Sequence, residues 1–132
     1  NLTFDSLPLI LKGLINVPYK WGGKTSLGFD CSGLIQSVLK CIGISIPRDS
    51  MEQYNYFKND KISMDDAKIG DLHFFGKKNK VSHVGFSIGK RGIIHSQGFV
   101  KQESLDKDEH NFNKSLLDIY LSTHSIRRKF PL

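Results

Sequence analysis

Long apolar runs are missing from this sequence. None approaches the roughly 18 residues of a membrane span, which excludes a bilayer-crossing helix. Cysteine is scarce: Cys31 and Cys41 are the only two, too few for a disulfide framework. There is no internal repeat, low-complexity tract or linker, and the composition excludes collagen and coiled coil. Zinc-finger spacings, aromatic RNA-binding signatures and phosphate-binding loops are missing as well. Acidic residues are the minority, 13 against 19 Lys and Arg, for a formal net charge of +6. That balance favours polyanionic partners. The basic residues are scattered, however, and cluster only at Lys77-Lys78-Asn79-Lys80 and Arg127-Arg128-Lys129. They read as a solvated basic surface, and no nucleic-acid partner is expected.

The chain does hold 132 residues of ordinary globular composition, 39% hydrophobic and 24% charged, which excludes disorder and supports a core without staples. The expectation is one domain over residues 1–132, monomeric. The chain begins at Asn1 rather than Met, with no segment that reads as a signal peptide. It reads as processed, or as excised from something longer.

Leu7, Ile10, Leu11 and Leu14 form an amphipathic helical stripe with Ser6 as N-cap and Pro8 in the first turn. A second stripe, Cys31, Leu34, Ile35, Val38, Leu39 and Ile42, follows Asp30 as N-cap and stops at Gly43. Ser50 and Gln53 have capping-box spacing and open a short third helix with Tyr54 and Phe57 on its apolar face. Residues 58–70 read as irregular. The period then becomes strand-like over Leu72–Phe75, Val81–Ile88, Gly92–Ser96 and Phe99–Lys101, an antiparallel meander. Gln102–Asn113 reads as a charged loop, Ser115–Tyr120 as a helical turn and Ser125–Phe130 as a last strand. Helices first and a meander after define an α+β domain.

Cys31 and Cys41 stand about 15 Å apart along one helix, so they cannot bond to each other. Cys41 lies in the last turn and reads as a small buried hydrophobe. Cys31 opens the helix, where the macrodipole and free N–H groups favour thiolate and lower the thiol pKa; it is the thiol expected to react. A nucleophilic cysteine needs an imidazole to accept its proton. Of five histidines, His110 and His124 read as surface residues, while His73, His83 and His95 lie in strands. His83 and His95 belong to neighbouring antiparallel strands about 4.8 Å apart and can touch as base and orienter. No local ligand pair supports a metal site, and no cofactor is expected.

In order along the chain stand Tyr19-Lys20-Trp21-Gly22-Gly23, Phe29-Asp30-Cys31-Ser32-Gly33-Leu34-Ile35, Pro47-Arg48-Asp49-Ser50, Gly70-Asp71-Leu72, Ser82-His83-Val84-Gly85-Phe86 and Ile94-His95-Ser96. This series resembles the NlpC/P60 family of papain-like cysteine peptidases, which cut peptides of the bacterial cell wall. The resemblance runs from about Tyr19 to Ser96 and on towards Arg127-Arg128. It departs at His73, where the family usually has an aliphatic residue, and in the missing wall-binding domains.

The resemblance implies a papain-like fold in which the nucleophile helix packs on an antiparallel sheet. It makes Cys31 the nucleophile, His83 the general acid/base and His95 the residue that orients His83. It places Tyr19 and Asp30 in the acyl-side pocket, with Arg48, Ser50 and Ser82 at further binding positions. A carboxylate at Asp30 would suit a cationic acyl-side group such as the free amine of an L-alanine. The implied substrates are peptidoglycan stem peptides cut between γ-D-glutamate and a diamino acid, in the periplasm or outside the cell. Two alternatives remain: an amidase or acyltransferase using the same Cys–His pair, and an inactive basic wall- or nucleic-acid-binding module.

Overall fold

The computed structural model describes residues 2–25 and 27–131. The first apolar stripe folds as α1 (Leu7–Leu14), with Leu7 and Leu11 fully buried and Pro8 in its first turn. Ser6 holds the N-cap position of α1 without capping it; its Oγ accepts from the Thr3 amide at 3.1 Å. Thr3 instead caps the 3-10 turn Phe4–Ser6 that leads into the helix. A small hairpin, β1 (Lys24–Thr25) and β2 (Gly28–Phe29), precedes α2 (Cys31–Cys41). Asp30 Oδ1 caps α2 by accepting from the Gly33 amide at 2.6 Å, and Gly43 takes the left-handed φ of 84° just beyond its end.

α3 (Ser50–Tyr56) begins one residue earlier in its capping logic than the spacing predicts: Asp49 and Glu52 form the box. Gln53 turns inward instead. It is fully buried, and its Nε2 donates to the carbonyls of Ser32 and Pro47, which ties α3 to the first turn of α2.

Beyond β3 (Lys61–Ile62), hidden in the stretch read as irregular, come β4 (Leu72–Lys77), β5 (Lys80–Ser87), β6 (Gly92–Gln97) and β7 (Phe99–Ser104), then α4 (Lys114–Asp118) and β8 (Tyr120–His124). They form one antiparallel six-stranded sheet in the order β3-β8-β4-β5-β6-β7. The β4–β5 hairpin turns on Lys78 and Asn79, both at positive φ, which matches the right-handed twist of the strands.

Two further sequence expectations fail around the last strand. The last strand is Tyr120–His124, not Ser125–Phe130, because Ser122, Thr123 and His124 are buried polar residues that conceal the strand pattern. Residues 126–130 close in a turn, with the Lys129 and Phe130 amides both donating to the Ile126 carbonyl. His124 is buried rather than exposed, holding Ser122 Oγ and the Phe57 carbonyl at 2.8 Å each.

α2 lies against the sheet. Leu34, Ile35, Val38 and Leu39 are buried in one cluster with Leu72, Phe74, Val84, Phe86 and Ile94. Burying each such side chain contributes roughly 1.5–3 kcal/mol, so this seam fixes the helix whose first residue is Cys31. Cys41, expected to be buried, is exposed at the far end, because the last turn of α2 rotates it away from the sheet. Among the described residues no helix is long and apolar enough to cross a membrane.

Candidate active site

The start of α2 is clamped onto the glycine turn before it. Asp30 Oδ2 accepts from the Gly22 amide at 3.2 Å, and the Asp30 amide donates to the Gly23 carbonyl at 3.0 Å. A Cβ on Gly33 would lie 2.1 Å from that carbonyl, so only glycine lets the helix approach so closely. Cys31, half-buried, is thereby fixed at the mouth of the seam.

His83 rides on β5 and His95 on β6. The pairs Phe86↔Ile94 and Ser87↔Ile93, continued by one step, set Gly85 beside His95. A Cβ at Gly85 would stand 2.9 Å from His95 Cβ, and the missing side chain leaves room for the two rings to meet. His83 Nε2 and His95 Nδ1 are 2.8 Å apart. Phe75 packs on the His83 ring, and Ser96 Oγ anchors β6 to the Phe29 carbonyl at 2.8 Å. With Nε2 committed to His95, Nδ1 is the His83 nitrogen left for the pocket it shares with Cys31. Among the described residues no hydrogen bond joins Cys31 to His83; the two line a common pocket of about 370 Å³ with Tyr19, Ser82 and Ser96. A second pocket of about 520 Å³, lined by Tyr19, Trp21, Asp30, Arg48, Ser50 and Ser82, meets the first at Cys31. Seven of the eight residues singled out in the sequence therefore line these joined pockets, and the eighth, His95, stands behind His83.

Burial dominates the electrostatics. It pushes the Cys31 thiol up, with Asp30 adding to the rise, and outweighs the Val84, Ser32 and Cys31 N–H groups that favour thiolate. The net direction is opposite to the one expected from the helix start alone. Burial, then the neighbouring His95 and Lys101, lowers His83 to about 3. Burial also lowers His95, against the opposing pull of Glu103. The resting site thus holds a neutral thiol and a neutral imidazole. Burial and the Cys31 and Asp30 charges raise Tyr19, which keeps its phenol protonated and able to donate.

Asp30 is less free than the sequence suggests. Beyond the Gly33 and Gly22 amides it binds Arg48 Nη2 at 2.8 Å, and Arg48 Nη1 donates to Ser32 Oγ at 2.9 Å. Both carboxylate oxygens are engaged within the protein, and its charge is largely matched by Arg48.

Two polar residues at the site escaped the sequence reading. His95 Nε2 lies 2.7 Å from Glu103 Oε1, and Asn113 Nδ2 donates to the same oxygen at 3.1 Å. Asn113 lay in the stretch read as a charged loop, and ending the fourth meander strand at Lys101 hid Glu103. Extended to Ser104, its alternation puts Glu103 on the face of His95 and Lys101. Among the described residues no group of three His, Cys, Asp or Glu side chains is placed to hold a metal ion.

A helix-borne cysteine set against a histidine pair on an antiparallel sheet is the papain-like arrangement. The chain belongs to the NlpC/P60 family, whose model matches residues 16–118. It is similar to a gamma-D-glutamyl-L-lysine dipeptidyl-peptidase of Bacillus subtilis, 42% identical over 85 residues that make up 62% of this chain and 28% of that protein. It is also similar to the bifunctional muramidase/DL-endopeptidase CwlT of Bacillus subtilis, 42% identical over 83 residues, 60% of this chain and 25% of the relative. The chain thus spans little more than a quarter of these relatives. Among solved structures, an NlpC/P60 family protein from Bacillus cereus superposes with a TM-score of 0.80 at 30% identity, over 94% of this chain and 40% of the other. The NlpC/p60 domain of the peptidoglycan hydrolase SagA superposes with a TM-score of 0.75 at 29% identity, over 95% of this chain and all of that domain.

Proposed function

We propose that the chain is the catalytic domain of a cysteine endopeptidase that hydrolyses peptidoglycan stem peptides at the γ-D-glutamyl–diamino acid bond, in the cell envelope or outside the cell. The observation that carries this reading is the convergence of Cys31 and His83 on one pocket, with His95 2.8 Å behind His83. Relatives named for cutting such peptides support the substrate class.

With substrate seated, the Cys31 thiol gives its proton to His83 Nδ1 while sulfur attacks the γ-glutamyl carbonyl carbon. The resulting oxyanion is met by N–H groups at the start of α2 and by the protonated Tyr19 phenol, each such donor typically contributing about 3 kcal/mol. The imidazolium returns its proton to the amine as the C–N bond breaks, leaving a thioester on Cys31. Water, deprotonated by His83, then releases the acid and restores the thiol. His95 holds His83 in orientation throughout. Because burial keeps both reacting groups neutral at rest, the ion pair forms in the substrate complex, and the pair titrates as a unit.

The test is incubation of purified peptidoglycan with the wild type and with Cys31→Ala, with fragments identified by mass spectrometry. New γ-D-glutamyl carboxylates and free diamino-acid amines from the wild type, and none from a folded Cys31→Ala, are expected. Fragments ending at any other bond would overturn the bond assignment, and release by Cys31→Ala would overturn the nucleophile.

A further inference from the structure

The hydrogen bonds at the site continue past the histidine pair. Glu103 Oε1 receives His95 Nε2 at 2.7 Å and Asn113 Nδ2 at 3.1 Å, while Asn113 Oδ1 is itself held by the Leu116 amide at 3.0 Å as the N-cap of α4. Asn113 can therefore present only hydrogens to Glu103. We propose that Glu103 is a positioning residue whose carboxylate fixes the tautomers of both imidazoles, so that His83 turns an unprotonated Nδ1 towards the Cys31 thiol. This rests on the reading of Cys31 and His83 as the reacting pair.

The tautomers follow one from another. An ionised carboxylate only accepts, so His95 must carry its hydrogen on Nε2. A neutral His95 then offers a lone pair at Nδ1. The 2.8 Å contact to His83 Nε2 requires a hydrogen on that nitrogen, which leaves the His83 Nδ1 lone pair open. When the thiol ionises, the Sγ–H bond breaks and its proton bonds to His83 Nδ1. The imidazolium keeps Nε2–H and donates it to His95, and Glu103 stays ionised. Burial acts to raise Glu103, but its bonds to His95 and Asn113 prevail and hold the carboxyl below its usual range.

The charges around the relay are few. Cys31 faces it from α2, Lys101 and Glu103 from β7, and β4 contributes the uncharged Phe75 ring. Lys101 disfavours imidazolium at both histidines, whereas Glu103 favours it at His95. A purely structural role would make Glu103 a tie between β7 and the cap of α4, with no effect on proton location.

Two variants separate charge from acceptor. Glu103→Gln keeps an oxygen facing His95, because Asn113 offers only donors, and loses the charge; Glu103→Leu loses both. Long-range ¹H–¹⁵N correlation spectra of ¹⁵N-histidine protein should find both His83 and His95 of the wild type as Nε2–H tautomers. Alkylation of Cys31 by iodoacetamide in a Cys41→Ser background, followed against pH, reads the pair without any substrate. In Glu103→Gln the rise of alkylation with pH should move to lower pH by about one unit, with tautomers unchanged. In Glu103→Leu the His83 Nε2–H signature should weaken, and kcat should fall at least about tenfold with KM little altered. An Nδ1–H tautomer at wild-type His95, or a Glu103→Gln profile superimposable on wild type, would overturn the proposal. Should Glu103→Leu fail to fold, the wild-type spectra and Glu103→Gln decide. A shifted alkylation profile in a protein that cuts no stem peptide would leave the relay standing and remove the substrate reading.

Discussion

His73 makes acid lability of this fold a quantitative expectation. It is the second residue of β4 and has no solvent exposure; its Nδ1 meets Thr123 Oγ1 at 2.7 Å, and its Nε2 has no hydrogen-bond partner among the described residues. Burial lowers it to about 4 from an ordinary value of 6.5. A group depressed on folding stabilises the native state fully above its unfolded pKa, and that contribution is lost as pH falls towards the folded value. At pH 5 the unfolded state gains about thirtyfold from protonating this one ring, while the folded state gains almost nothing. The loss is about 2 kcal/mol relative to neutral pH. His73→Leu removes it. Leucine has nearly the same volume, Thr123 Oγ1 keeps the Tyr120 hydroxyl at 2.6 Å, and no buried nitrogen is left unpaired. Urea unfolding at pH 7 and pH 5 should show the variant within about 1 kcal/mol of wild type at pH 7. At pH 5 it should have gained about 2 kcal/mol on wild type. Parallel pH dependences in the two proteins would refute the argument. His83, His95 and His124, all lowered by burial, leave a residual acid slope in both.

The two thiols should part by burial, which both shields Cys31 and pushes its thiol up while Cys41 stands exposed. Substoichiometric iodoacetamide at pH 7 should label exposed Cys41 first with no loss of hydrolysis, and Cys31 more slowly with complete loss. Cys41→Ser should change unfolding free energy by less than about 0.5 kcal/mol. Inactivation that tracks the first label would contradict both statements. On the acyl side, the Arg48 partner tempers what Asp30 can offer a cation. A free L-Ala amine should raise kcat/KM by about tenfold over the N-acetylated peptide, not a hundredfold. Equal rates would mean that the pocket does not read the amine.

Much of this was legible in residue order. The stripe from Leu34 to Leu39, the Asp30 cap and Gly43 announce α2, because each answers a local requirement of helix geometry. The alternation that places His83 and His95 on neighbouring strands also survives folding. What stayed hidden depends on partners distant in sequence. β8 reads as polar because Ser122 and His124 find their bonds with each other and with Phe57. The Cys31 thiol moves up rather than down because burial under the sheet is not written in its neighbours. Glu103 was missed for want of three residues of strand.

The thiol belongs to the helical first half of the chain and both imidazoles to the sheet of the second. Neither half contains the proposed reacting pair by itself; Cys31 and His83 meet only along the line where α2 faces β5 and β6. Catalytic competence is therefore a property of layer docking, not of either layer's secondary structure. A chain whose helices and strands had formed but whose Leu34–Leu39 face had slipped against the sheet would keep its far-ultraviolet dichroism and lose its chemistry. Hydrolysis rate then serves as a gauge of that contact, and it should vanish before the backbone signal does as denaturant is raised.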